Sequence, residues 1–259
     1  MNKYTRKLIS FVVWGNSNLY NLGLLENAIQ MPKVFPGWIM HVIYTPTANQ
    51  KIINEISKFP WVEMEMYDEP NHSKNTMLRF LPGMQSQNDV VIFRDADSRL
   101  LKRDYLAVMY WLNNTDKKVH LIRDHSENKF RIMAGLWGVR DGIITKPEII
   151  HKFYEYYKKP EFDKWTIDQV YLQKYIYPII EHTTCIHASF NKFEPWALPF
   201  PKECPTRNFG FCGQTFHYAP KASKVIGIKS EILGKKRFIR AGWRNERPNL
   251  DLTYKNVHV

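Results

Sequence analysis

The chain lacks most of the features that assign a protein's class at a glance. Its 259 residues include three cysteines (Cys185, Cys204, Cys212), odd in number and forming no CxxC pair. That argues against a disulfide framework and fits a reducing compartment. Cys204 and Cys212 with His187 and His217 match no zinc-ligand spacing. No apolar run approaches the ~20 residues needed to span a membrane, and no signal-peptide core follows the basic start. The expected location is therefore cytoplasmic, peripheral to a membrane at most. GxGxxG is absent, so dinucleotide binding has no support, and GxxxxGK(S/T) is absent, which removes a P-loop nucleotidase. There is no internal repeat and no low-complexity linker.

Acidic residues are also scarce, 25 against 37 Lys and Arg, giving a formal charge of +12. The excess is uneven. Lys221 to Arg247 carries nine basic residues, among them Lys235, Lys236, Arg237, Arg240 and Arg244, against Glu231 and Glu246. Such a field suits a polyanionic partner: DNA, an anionic membrane or a phosphoglycan. A solvated face that aids solubility is the plainer reading. What the chain has in quantity is apolar and aromatic residues: 44% hydrophobic, with 8 Trp, 14 Tyr and 15 Phe, enough for a sizeable core.

The pattern of elements is α/β. Leu8–Trp14, Ile39–Tyr44, Val62–Met66, Asp89–Phe93, Val119–Ile122 and Gly135–Val139 read as strands. Tyr20–Gln30, Gln50–Lys58, Asn75–Leu81, Arg103–Asn113, Pro147–Tyr157 and Thr166–Tyr175 read as helices, the third stopped by Pro82-Gly83 and the last ending before Pro178. This alternation predicts a Rossmann-type, mostly parallel sheet flanked by helices. The expected organisation is one domain over 1–220 and an irregular basic C-terminal extension over 221–259.

Asp89–Phe93, the clearest buried strand, runs directly into Arg94-Asp95-Ala96-Asp97-Ser98-Arg99. Open α/β sheets place ligands beyond the carboxyl ends of their strands. On extended backbone, carboxylates at i and i+2 share a side and can hold a hard divalent cation together with a diphosphate. Arg94 could balance the pair or touch phosphate. Helix capping by the aspartates is the alternative.

The ordered blocks around this pair carry a resemblance. Arg79-Phe80-Leu81-Pro82, then Arg94 to Arg99, then Arg123-Asp124-His125, Gly135-Leu136-Trp137-Gly138, Asp168-Gln169 and His187-Ala188-Ser189 resemble DxD-containing glycosyltransferases of the GT-A type, over about Ser10 to Phe190. Ala188 departs from the Asp expected there. The resemblance implies a GT-A-like sheet and a nucleotide-sugar donor, with UDP-sugar and Mn²⁺ the expectation. It implies His187 as a metal ligand beside Asp95 and Asp97, and Trp14, Gly15, Asn16, Arg79, Arg94 and Asp95 around the donor. Asp168 and Gln169 become the candidate catalytic residues, with Asp168 either a general base or a group beside the anomeric carbon. Arg123, Asp124, His125, Gly135, Trp137 and Gly138 become candidate contacts to sugar or acceptor.

The expected acceptor is a hydroxyl of a cell-surface or lipid-linked glycan, with hydroxylated DNA bases as the alternative. Two other classes fit less well. A haloacid-dehalogenase-like phosphatase places its Asp pair near the N-terminus. A non-catalytic nucleic-acid-binding protein would leave the Asp pair and the block order unexplained.

Overall fold

The computed structural model describes residues 6–85, 90–158, 166–206, 210–218 and 239–241. Strand β1 (Lys7–Val13) is buried on both faces, as its unbroken apolar run demands, and so lies inside a sheet. Parallel β2 (Ile39–Tyr44) and β4 (Val90–Arg94) flank it, and β3 (Val62–Met66) pairs in parallel outside β2. On the other side β6 (Leu136–Arg140) runs antiparallel between β4 and β5 (Val119–Arg123), and β7 (Thr184–Ala188) pairs in parallel with β5. The order β3-β2-β1-β4-β6-β5-β7 makes a mixed, mostly parallel seven-stranded sheet, as the alternation predicts.

Helices α1 (Asn18–Val34), α2 (Gln50–Ile56), α3 (Leu81–Met84), α4 (Lys102–Asn114), α5 (Pro147–Tyr157), α6 (Ile167–Tyr171) and α7 (Tyr177–Ile180) connect and cover the strands. Alternate residues of β1, β2 and β4 feed two separate cores. One gathers Phe80, Phe93, Trp137, Phe153 and Tyr171; the other gathers Phe11, Leu24, Phe35, Val108 and Trp111. A short antiparallel pair, β8 (Phe216–Tyr218) and β9 (Ile239–Ala241), stands apart from the main sheet.

Three local expectations change. Asn75–Leu81 lies mostly in a 3₁₀ segment, Ser73–Phe80, and Pro82 does not stop it. Pro82 sits in the first turn of α3, where its missing N–H costs nothing. Pro178 likewise falls in the first turn of α7, after a π-helical stretch, Leu172–Ile176, so the helical path continues past the predicted stop. Arg94 belongs to β4 itself. Within the basic extension, Lys235, Lys236, Arg237 and Arg244 lie outside the described residues, and Arg240 is on β9.

Candidate active site

Asp95-Ala96-Asp97 follows the C-terminal end of β4, and every element around it is pinned to its turn. Ser98 N and Oγ both donate to Asp95 O, at 3.2 and 2.9 Å. From α1, Asn27 Nδ2 donates to Ser98 O (2.8 Å), Asn27 Oδ1 accepts from Leu100 N (3.1 Å), and Glu26 pairs with Arg99 Nε (2.7 Å). From the C-terminal side, Phe216 N donates to Asp97 O (3.0 Å), and Thr215 Oγ1 donates to Asp97 Oδ2 (3.3 Å). The antiparallel course of β6 matters here. Leu136 pairs with Arg94, so Gly135 falls beside Asp95, and a Cβ on Gly135 would overlap Asp95 Oδ2. On the other flank, a Cβ on Gly23 of α1 would overlap Ala96 O.

Arg79 joins two of the expected site residues that are far apart in sequence. Its guanidinium is nearly buried: Nη1 donates to Asp95 Oδ1, Nη2 donates to Asp168 Oδ2 at 2.9 Å, and Nε donates to Thr76 O at 2.8 Å. Asp95 keeps 42% of its side-chain surface exposed, whereas Asp168 keeps 7%. Burial raises the Asp168 carboxyl above its ordinary range, opposed by Arg79. Burial, and then the charge of Asp95, pushes Asp97 up to about 6. Three carboxylates around one guanidinium leave an excess of two negative charges when all are ionised, which one divalent cation would cancel. Carboxylate oxygens are the ligands that Mn²⁺ and Mg²⁺ take.

Beside this cluster, Trp14, Gly15, Asn16, Ser17 and Tyr20 face Asn71, His72 and Ser73 across a cleft of about 400 Å³. Trp14 and Tyr20 stack with centroids 6.4 Å apart. Burial, then the charges of Asp97 and Asp95, pushes the Tyr20 phenol up to about 12, so this aromatic wall adjoins the Asp pair. Asn71, His72 and Ser73 gave no signal in the sequence, because nothing local marks a loop that reaches the site from another strand. Gly23 did give one, as a glycine inside a helical pattern.

Several expected site residues stand elsewhere. His187 is fully buried on β7, its Nδ1 2.8 Å from His120 Nε2, with Tyr110 and Phe200 packed on its ring. Burial, and then Arg103, pushes its imidazole down to about 4, and His120 is driven well below its ordinary value. Among the described residues no three His, Cys, Asp or Glu side chains lie together as a metal site, so the expected trio of Asp95, Asp97 and His187 is not assembled. Arg94 is also withdrawn from any donor, with Nε and Nη2 each 2.7 Å from the two Asp104 oxygens.

The Arg123-Asp124-His125 block is internal. Arg123 holds both oxygens of Glu194 at 2.6 and 3.0 Å. Asp124 holds Arg103, Ser189 Oγ and Cys212 N, and His125 stacks on Phe211. Trp137 is packed between Phe80 and Phe93, and Gly138 lies where a Cβ would come within 2.6 Å of Ile92. These residues build the sheet and its loops and offer no surface to a sugar. Gln169 spends its amide on the loop before Gly135, accepting from Ala134 N (3.0 Å) and donating to Ile132 O. It therefore braces the approach to Asp95.

No protein-family model and no curated protein matches this chain. Among solved structures it is similar to a glycosyltransferase involved in the glycosylation of the major capsid of PBCV-1. The two share 11% identity and a TM-score of 0.46, over 71% of this chain and 82% of that one. The galactosyltransferase LgtC, in complex with donor and acceptor sugar analogues, shares 12% identity and a TM-score of 0.45, over 70% and 73%. A 4-diphosphocytidyl-2C-methyl-D-erythritol synthase from Anaerococcus prevotii shares 11% and 0.42, over 64% and 81%. No helix among the described residues is long and apolar enough to cross a membrane.

Proposed function

We propose that the chain is a GT-A-type glycosyltransferase that moves a sugar from a nucleotide-sugar donor to a hydroxyl acceptor with a divalent cation at Asp95 and Asp97. The observation that carries this reading is the Arg79 bridge between Asp95 and Asp168 beside the aromatic cleft. That cleft has a stacking wall and amide and hydroxyl edges suited to a nucleoside, with the Asp pair at its border. When bound, the cation would neutralise charge on the departing nucleoside diphosphate. Asp95 and Asp97 would hold it jointly with the diphosphate. Asp168, buried and steered by Arg79, would face the transferring sugar or the acceptor hydroxyl.

The expected donor is a UDP-sugar, the expected metal Mn²⁺ or Mg²⁺, and the expected acceptor a surface or lipid-linked glycan. Incubation with a panel of nucleotide sugars and Mn²⁺, followed by nucleotide release and thermal shift, tests the reaction class. Release of nucleoside diphosphate that disappears in Asp97→Asn is the expected result. Formation of pyrophosphate from a nucleoside triphosphate and a sugar phosphate would instead assign a nucleotidyltransferase. The DNA-base acceptor gains support only if duplex DNA binds with a steep salt dependence.

A further inference from the structure

The two oxygens of Asp95 are placed differently. Oδ1 accepts from Arg79 Nη1, and Oδ2 lies against the Cα of Gly135, where a side chain would have no room. Asp97 differs, its Oδ2 taking one hydroxyl bond from Thr215 at 3.3 Å. Arg79 cannot simply withdraw. Nε is held by Thr76 O at 2.8 Å and Nη2 by Asp168 Oδ2 at 2.9 Å, and the side chain is 5% exposed. Its attachments are thus unequal: two anchor the guanidinium, and the third, Nη1, reaches Asp95, which is far more exposed than Asp168.

We propose that Arg79 is the resident counter-cation of Asp95, and that a divalent cation engages Asp95 by taking Oδ1 from Arg79 Nη1. This rests on the metal site proposed above and adds an exchange to it. The freed Nη1 stays in place, because Nε and Nη2 keep their partners, and turns its N–H toward the anionic diphosphate that arrives with the metal. Arg79 therefore acts as a positioning residue that opposes the cation alone and favours cation and nucleotide together. A charge-assisted hydrogen bond of this kind, once lost, shifts an equilibrium by about tenfold or more.

The test is Mn²⁺ binding without nucleotide, followed by the paramagnetic resonance signal of the free ion. Arg79→Met should bind Mn²⁺ about tenfold more tightly than the unmodified protein. With saturating Mn²⁺, UDP should bind the variant more weakly. Because Arg79→Met leaves Asp168 buried without its partner, a second comparison avoids that cost. Asp168→Asn and the double variant Arg79→Met/Asp168→Asn both lack that charge and differ only at Arg79. The double variant should hold Mn²⁺ the more tightly of the two. Equal or weaker Mn²⁺ binding when Arg79 is removed from a folded protein overturns the exchange and leaves the metal site standing. Absence of Mn²⁺ binding by every form, with UDP present, removes the metal site itself and the exchange with it.

Discussion

The Cα of Gly135 lies against the carboxylate of Asp95, so close that any side chain at position 135 would overlap Oδ2. The contact arises because β6 runs antiparallel to β4 and begins where β4 ends. Gly135→Ala should therefore turn Asp95 away from its present direction. Overpacking of this kind costs about 1–3 kcal/mol of stability. Metal-dependent nucleotide binding should fall by about tenfold or more, a change of about 1.4 kcal/mol at least. Calorimetric titration with Mn²⁺ and UDP checks it. Unchanged affinity would mean that Asp95 is not a ligand in that orientation.

Gly23 gives a second steric test with an unusual sign. Alanine in place of glycine inside an exposed helix ordinarily stabilises it by about 1 kcal/mol. At position 23 the added methyl would overlap Ala96 O, a backbone atom of the Asp-Ala-Asp turn that Asn27 and Glu26 hold in place. Gly23→Ala should thus destabilise the protein in urea denaturation and weaken nucleotide binding together. A gain in stability would show that α1 can shift off the turn at no cost.

Buried histidines set the expected acid sensitivity. Well above pH 6.5 His187 is neutral in both folded and unfolded chains and contributes no pH dependence. As pH falls from 6.5 toward 4, the unfolded chain takes up a proton that the buried imidazole, lowered to about 4, refuses. Stability is therefore lost as pH falls through that window, by about 3 kcal/mol for His187 alone. Urea denaturation at pH 7.5, 5.5 and 4.5 should show the fall, and His187→Asn should lessen it while His120 keeps its own share. The same variant should keep its Mn²⁺ affinity, because the imidazole is bonded to His120 and, among the described residues, forms no metal-ligand group with the Asp pair.

Arg123 tests the reassignment of the Arg123-Asp124-His125 block. Removing one partner of a buried ion pair costs about 3–5 kcal/mol. Arg123→Met, which leaves Glu194 only Tyr177 and the more distant Arg131, should lower the melting temperature while leaving the donor KM of the surviving folded enzyme unchanged. A raised KM with unchanged stability would return Arg123 to the binding surface.

Much of the fold was legible because burial on both faces writes itself as an apolar run. Leu8–Trp14 and Asp89–Phe93 read as strands for that reason, and β1 and β4 occupy those stretches. Prolines mislead as stops: Pro82 and Pro178 each sit in a helical first turn, where the sequence motif looks the same as a break. At the site, the Asp pair was recognisable from its place after an apolar strand. His187 and Arg94 misled for a common reason. A polar residue on a central or edge strand can face ligand or core, and only its partner, His120 or Asp104, shows which.

The sequence by itself determined the α/β alternation, the position of Asp95 and Asp97 beyond a buried strand, and the excess of positive charge toward the C-terminus. Those follow from periodicity, spacing and counting along the chain. Only the tertiary structure decided that Arg79 would hold Asp95 and Asp168 at once, that Gly23 and Gly135 would clear space for the Asp-Ala-Asp turn, and that Arg94 and Arg123 would be spent on Asp104 and Glu194. Each of these joins residues separated in sequence, and their meeting depends on strand order and on the reversed direction of β6, which no local pattern encodes.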